Sequence, residues 1–246
     1  MSQNIVGIDL GTYSVKVVYL ERRVQEHHII DYFELSLNPH ARLSHEEQVR
    51  EVLKQVFENH DINPDVVCVS LPGHLLSARI VSLPFTNTKK IAQIVPFEIE
   101  NYIPFPIEDI FYDYHIINQT EDKSDILCVY TPEERFGQYI ESLFSDEVDA
   151  KYFGADLIDL AAMSHVAMVP HEGFYILCDI GHSKTNIVIM EGKELRYART
   201  IAVAGLHFTR TIQRAFNLNY DKAESLKIAR GKVFIREQDS DQVSRA

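Results

Sequence analysis

Val6-Gly-Ile-Asp-Leu-Gly-Thr-Tyr-Ser-Val-Lys-Val-Val-Tyr-Leu-Glu21 opens the chain, and its plan returns as Ile176-Leu-Cys-Asp-Ile-Gly-His-Ser-Lys-Thr-Asn-Ile-Val-Ile-Met-Glu191. Each copy is an apolar run, broken by Asp-x-Gly and resumed as an alternating strand that ends in an acid. Asp9, Gly11 and Glu21 recur as Asp179, Gly181 and Glu191, each 170 positions later. Solenoid repeats have periods of roughly 20 to 50 residues. An echo at this longer interval predicts two similar half-domains facing each other.

Physically, each copy predicts a strand, a tight glycine turn and a second strand. Gly11 and Gly181 are expected to supply φ > 0 and close backbone approach. Backbone N–H groups and hydroxyls at the turns (Thr12 and Ser14; Ser183 and Thr185) can donate to phosphate oxygens. Asp9 and Asp179 end the first strands at one mouth. A carboxylate cannot hold a phosphate directly, so each is expected to act through a divalent cation or its waters. Lys16 offers a charge for a β-phosphate or, on an alternating strand, is an ordinary solvated residue. A lone Asp-x-Gly hairpin reads equally well as a plain β-turn; two copies in one register point to a phosphate clamp.

The chain of 246 residues can hold one large or two modest domains with real cores. The net charge of −12 argues against non-specific nucleic-acid binding, because no basic surplus exists to displace counterions from phosphates. No run nears the roughly 18 to 20 apolar residues of a membrane span, and the start lacks the basic and apolar regions of a secretory signal. A cytoplasmic chain is expected. Cys68, Cys128 and Cys178 each sit in a β-like apolar run and are an odd three, so buried reduced thiols are expected, not disulfides or a metal site. The histidines show no paired-ligand spacing, and His27-His28 reads as solvated surface.

Outward from the first copy, 5–10, 15–20 and 28–35 predict a three-stranded meander. Ser44-His-Glu-Glu47 is a capping box, and Val49, Val52, Leu53, Val56 and Phe57 form the apolar stripe of a helix ending near Asn59. A strand over 66–71 closes a β-β-β-α-β unit. Between 70 and 150, strands over 78–83, 110–117 and 125–130 and a helix starting at Thr131-Pro-Glu-Glu134 predict an inserted α/β module. In its middle, Asn87 or Thr88 can cap a helix. Pro96 is expected to kink or break that helix, since proline lacks the N–H and clashes with the Ala92 carbonyl at a cost of about 3 kcal/mol. Tyr102-Ile-Pro-Phe-Pro106 is extended and aromatic. Phe105 and its neighbours are expected to plug the module's core, the alternative being a partner-binding surface.

Residues 154–168 predict a small-residue helix beneath a cleft, with Asp156 or Asp159 facing it, although Asp156 also suits a helix cap. After the second hairpin come a strand over 194–201, a helix opened by Gly205 with Phe208, Ile212, Ala215 and Phe216 on one face, and a helix over 220–231 stopped by Gly231. The polar end beyond reads as a loop or frayed tail.

Two Asp-x-Gly hairpins, an insertion and a final helix pair resemble the actin-like ATPase superfamily, which includes actin, sugar kinases, heat-shock chaperones and the division protein FtsA. The implied fold is α/β, actin-like (ribonuclease H-like), with an inserted FtsA/PilM-type 1C subdomain. The implied division is 1–69 with 151–172 as subdomain 1A, 70–150 as 1C, and 173–246 as the start of a second half-domain. Within the superfamily, Leu83-Pro-Phe85, Phe97-Glu-Ile-Glu-Asn-Tyr-Ile-Pro-Phe-Pro-Ile-Glu-Asp-Ile110, Ala204-Gly205 with Phe208-Thr-Arg210, and Phe216-Asn-Leu218 before Ala223-Glu-Ser-Leu-Lys227 resemble the PilM family of type IV pilus assembly proteins. The resemblance covers essentially the whole chain.

It implies ATP and Mg²⁺ as cofactors. Asp9, Gly11, Thr12, Ser14 and Lys16 would form the first phosphate loop, and Asp179, Gly181, Ser183 and Thr185 the second. The metal would be held through Asp9 and Asp179. Gly205, Glu224 and Lys227 are candidate sugar or base contacts. The resemblance further implies a groove in the 1A/1C half for the cytoplasmic tail of a PilN-like membrane protein, with Tyr102 and Phe105 as candidate partner-binding residues. The chain would then sit at the inner face of the inner membrane through that partner.

Two departures matter. No Gly-Gly pair occurs, where the superfamily has an adenosine loop in its final third, so the chain is expected to stop partway through the second half-domain. No water-orienting glutamine follows Gly154; Asp159 is the candidate catalytic substitute, and any hydrolysis is expected to be slow. The leading expectation is a nucleotide-sensitive assembly protein of a type IV pilus platform, with self-association left open. The alternative is the cytoplasmic actin-like domain of the type II secretion protein GspL, with GspE-, GspF- or GspM-like partners. Its phosphate loops are usually degenerate, so the intact loops favour PilM. A small-molecule kinase ranks last, for want of a substrate acid/base set.

Overall fold

The computed structural model describes residues 2–24, 26–60, 62–73, 75–144, 150–165 and 172–232. The first copy of the phrase folds as β1 (Gln3–Leu10) and β2 (Ser14–Arg23), and β3 (Glu26–Ser36) extends the meander. Alternation across the pleat sends Val6, Ile8 and Leu10 of β1 and Val15 and Val17 of β2 into the core. Helix α1 (His45–Asn59) packs there with Val49, Leu53 and Val56. Its capping box is formed as expected: Glu47 N–H donates to Ser44 Oγ, and Ser44 N–H to the Glu47 carboxylate. β4 (Val66–Leu71) lies parallel to β1, and β8 (Ala150–Ala155) parallel to β4, giving the order β3-β2-β1-β4-β8.

Between β4 and β8, strands β5 (Ser77–Leu83), β6 (Ile110–Gln119) and β7 (Ser124–Pro132) form an antiparallel sheet of order β5-β7-β6, packed by α2 (Thr88–Glu100). Asn87 is the cap, accepting from the N–H groups of Lys89 and Lys90. Of the kink or break expected at Pro96, the break does not occur: the helix runs on through it. Ile91, Val95 and Ile99 are buried against Val81, Leu83 and Ile126. Ala92, whose carbonyl loses its intrahelical donor, is on the exposed side, where water can replace it. Packing therefore outweighs the local penalty.

Other expectations for the insertion also change. Helix α3 (Glu133–Leu143) delivers Tyr139 and Leu143 to the first core, beside Val49 and Leu53, not to the insertion. Of Phe105 and its neighbours, Ile103 and Ile107 do pack against the insertion's core, but Phe105 does not and is 46% exposed. Tyr102 is 45% exposed and lies under the Arg79 guanidinium, 4.4 Å from the ring centre.

Gly154 and Ala155 complete β8, so the next helix, α4 (Asp156–Ala162), starts two residues later than expected; 166–168 lie outside the described residues. The second copy folds as β9 (Phe174–Ile180) and β10 (Thr185–Glu191), joined by β11 (Glu194–Ile201) in the order β11-β10-β9, then α5 (Gly205–Phe216) and α6 (Tyr220–Arg230). Both hairpins share one register: Asp9 opposes Lys16, and Asp179 opposes Asn186. A third core joins Leu157 and Ala161 of α4 to Val188 and Met190 of β10 and to Ile117 and Leu127 of the insertion.

The two halves then diverge. β1 is flanked by β4, whereas among the described residues nothing flanks the outer edge of β9, and Phe174, Ile176 and Ile180 on it are exposed. Cys178, expected to be buried, alternates with them on the same face of β9 and is exposed. Cys128 is buried, and desolvation pushes its thiol up to about 11. Among the described residues nothing covers the outer part of the apolar face of α5 either, and Phe208 and Phe216 are exposed. No helix among the described residues is long and apolar enough to cross a membrane.

Candidate functional site

The two Asp-x-Gly turns meet across one cleft of about 290 Å³. Thr12 Oγ1 donates to Ser183 Oγ at 2.9 Å, and the Tyr13 and His182 rings lie 5.3 Å apart. Neither turn glycine has the positive φ expected of it; among the described residues, the glycines that do are Gly173 and Gly192. Space is what they supply. A Cβ on Gly11 would stand 2.5 Å from the Ser14 carbonyl oxygen, and one on Gly181 would stand 3.1 Å from that of Lys184.

Asp9, Gly11, Thr12, Ser14 and Lys16 line the cleft from the first half, and Asp179, Gly181, Ser183, Gly205, Glu224 and Lys227 from the second. Ser14 is buried and its hydroxyl donates to Glu34 Oε1 at 2.8 Å. Lys16 Nζ donates to Asp9 Oδ2 at 2.9 Å. Burial pulls its pKa down, but the Asp9 hydrogen bond and the charges of Asp9, Glu34 and Asp179 more than offset this and raise it. At the far end, Lys227 Nζ donates to the Gly205 carbonyl at 3.3 Å, to Thr209 Oγ1 at 3.0 Å and to Glu224 at 2.8 Å. Burial opposes ionisation of Glu224, yet its bonds from Lys227 and Thr209 hold its pKa below the usual carboxylate range. The N–H groups of Gly205 and Leu206 donate to the carbonyls of Gly181 and His182. The start of α5 is thereby fastened to the second turn.

Two expected residues lie elsewhere. Thr185 is buried and donates to the Val203 carbonyl at 2.6 Å, tying down the approach to α5. Asp159 lies behind β4, where its Oδ2 accepts from Ser70 Oγ at 2.5 Å. The bare Gly154 makes room for it, since a Cβ there would come 2.9 Å from the Asp159 Cγ. Burial raises its pKa, the Ser70 bond opposes this, and the charges of Asp156 and Asp9 add to the rise.

The carboxylate of α4 that does face the cleft is Asp156. It does not cap its helix; Ala155 holds the N-cap position, without a side-chain bond. Asp156 Oδ2 accepts from the Gly73 N–H at 3.1 Å and from Lys184 Nζ, while Oδ1 is buried without a hydrogen-bond partner. Asp156 is one of the two α4 acids expected there, and the register explains which: Asp9, Ser70 and Gly154 are neighbours across parallel strands, so a residue just after β8 falls at the same mouth. Lys184, Asn186 and Glu34 also line the cleft and were not singled out by motif.

Among the described residues no three His, Cys, Asp or Glu side chains converge to hold a metal. Hydroxyls and lysines around Asp9 and Asp179 suit a polyphosphate that brings a divalent ion with part of its water shell. Behind α4 lies a second, apolar groove of about 520 Å³, walled by Leu71, Phe111, Tyr112, Tyr114, Phe136, Phe153 and Ile158, with Asp113, His115 and Asp159 among its polar members. Neither Tyr102 nor Phe105 lines it.

A family model described as type IV pilus assembly protein PilM matches residues 7–233. Among solved structures, the PilM-PilN type IV pilus biogenesis complex aligns with a TM-score of 0.74 at 20% identity, over 91% of this chain and 68% of the other. The cytoplasmic domain of EpsL, an inner membrane component of the type II secretion system of Vibrio cholerae, gives 0.48 at 15% identity, over 88% and 77%. The ethanolamine utilization protein EutJ from Carboxydothermus hydrogenoformans gives 0.49 at 16%, over 100% and 66%. The fold is actin-like, and the chain belongs to the PilM family of type IV pilus assembly proteins.

Proposed function

We propose that the chain is an assembly protein that binds ATP with Mg²⁺ in the cleft and the cytoplasmic tail of a PilN-like inner-membrane protein in the apolar groove. The observation that carries this reading is the place of α4 as a shared wall. Asp156 lines the cleft, Ile158 and Asp159 line the groove, and Leu157 and Ala161 pack on β10. A change in how the two halves sit about the cleft is thus felt in the groove.

Mg·ATP, when bound, would supply anionic oxygens and counter-charge between the two turns. Thr12, Ser183 and Lys16 would hold its phosphates, Asp9 and Asp179 would hold the hydrated cation, and Gly205, Glu224 and Lys227 would take sugar or base. Hydrolysis is slow. Asp159 does not line the cleft, so Asp156, which does, replaces it as the residue able to orient a water. The groove likewise replaces Tyr102 and Phe105 as the seat of the tail, and holds the chain at the inner membrane through its partner.

Calorimetric titration of Mg·ATP into wild type and Asp9→Ala tests the first half; equal affinity, or no binding by either, refutes it. Fluorescence polarisation of a labelled PilN-like tail peptide tests the second. Tyr112→Ala should weaken it and Tyr102→Ala should not; the reverse order refutes the groove.

A further inference from the structure

The first hairpin places its cation at Lys16, opposite Asp9. At the matching position of the second stands Asn186, whose amide reaches Asp179 at 3.5 Å. The second hairpin's cation lies two positions earlier, at Lys184, where the first has Ser14. Residues two apart in an extended chain share a face, and Lys184 still lines the cleft. It pairs with Asp156, the first residue of α4, and the two side chains are only 23% and 11% exposed.

The pair bonds the Gly73 N–H just past β4, whereas Lys227 bonds Gly205, Thr209 and Glu224 of α5 and α6, so the two clusters lining the cleft share no hydrogen-bond partner among the described residues. With sugar or base at the Lys227 cluster, the cation of the other cluster is the one left for the last phosphate of the chain. A terminal phosphate carries roughly −1.5 to −2 of charge near neutral pH, more than the single charge of Asp156. It can therefore take the lysine from the carboxylate.

We propose that Lys184 reads the terminal phosphate: Asp156 holds it in the free chain, and a nucleoside triphosphate, unlike a diphosphate, draws it off. The inference rests on the nucleotide reading above and deepens it by naming the residue that separates ATP from ADP. Asp156, left beside the phosphate, opposes binding. Substitutions at the two positions therefore act in opposite directions, which damage to the fold cannot imitate.

The test is calorimetric titration of the full chain with Mg·ATP and Mg·ADP, for wild type, Lys184→Gln, Asp156→Asn, the double variant and Lys184→Arg. Wild type prefers ATP. Lys184→Gln loses about tenfold or more in ATP affinity and less than about threefold for ADP, the scale of one charge-assisted hydrogen bond. Lys184→Arg keeps the preference. Asp156→Asn gains for ATP, and most of that gain disappears in the double variant. Equal losses for both nucleotides in Lys184→Gln, no ATP preference in wild type, or the same Asp156→Asn gain in both backgrounds overturns the inference while nucleotide binding stands. Wild type that binds neither nucleotide overturns the nucleotide reading and the inference with it.

Discussion

Gly11→Ala, set against Gly7→Ala, tests whether the first phosphate turn is held by space and not by dihedral freedom. At Gly11 the added Cβ would lie 2.5 Å from a backbone oxygen of Ser14, where anything under 3.0 Å forces something to shift. Because the obstacle is backbone, no rotamer change relieves it, and the turn must open by about half an ångström or deform its angles. Overpacking of this kind costs about 1–3 kcal/mol. At Gly7, four residues earlier on β1, a Cβ meets nothing within 4 Å. There alanine lowers the entropy of the unfolded chain and should stabilise by about 0.4–1 kcal/mol. The variants should differ by about 1.5–4 kcal/mol. At about 2–4 °C per kcal/mol for a chain of this size, the melting temperatures differ by about 3–16 °C, with Gly11→Ala lower. Thermal unfolding by circular dichroism reads this directly. Melting within about 1 °C of each other would refute the steric account of the turn.

Three further outcomes follow from particular contacts. Pro96→Ala should stabilise by about 2–2.6 kcal/mol in urea unfolding, since the helix interior favours alanine by about 3 kcal/mol and the unfolded chain gains freedom worth about 0.4–1 kcal/mol; a loss would mean that α2 depends on proline's geometry there. Ser44→Ala removes the acceptor for the Glu47 N–H and should cost about 1 kcal/mol by the same measurement; no change would show that the box contributes nothing. Asp159 has a pKa raised above its ordinary 3.8, chiefly by burial, so the folded chain holds this proton more tightly than the unfolded one. Its favourable contribution is complete below the unfolded pKa and is lost as pH rises through the folded one. Asp159→Asn, which keeps an acceptor for Ser70, should therefore be more stable than wild type at pH 7, with an advantage that shrinks on acidification toward pH 4; a difference that does not vary with pH would refute this.

Most of the first half-domain was legible because its signals are local. The Ser44–Glu47 box, the Val49, Leu53, Val56 stripe and the alternation of β1 and β2 each state their own conformation. What escaped was decided by partners distant in sequence. The Phe136, Tyr139, Ile140, Leu143 stripe shows that α3 has an apolar face, but not that the face belongs to the first core. Pro96 reads as a break until Ile91, Val95 and Ile99 are seen anchored on a sheet. Gly154 and Ala155 fit a helix as well as a strand, and only pairing with Ser70 and Leu71 makes them β8. That two-residue shift brings Asp156 to the cleft and leaves Asp159 behind it.

Lys184 is a different kind of omission, for its signal was in plain view. The constant offset that aligns Asp9 with Asp179 also aligns Ser14 with Lys184 and Lys16 with Asn186. A repeat is recognised through the positions that agree, and those build the shared frame: two turns, two aspartates, one register. A nucleotide laid across that frame is not itself symmetric; its phosphate chain has one end at the sugar and one end free. Two identical loops could not tell those ends apart, so residues that distinguish them have to be sought where the copies disagree. Lys184 against Ser14 is such a place, and its pairing with Asp156 ties that difference to α4, the helix that the cleft shares with the apolar groove.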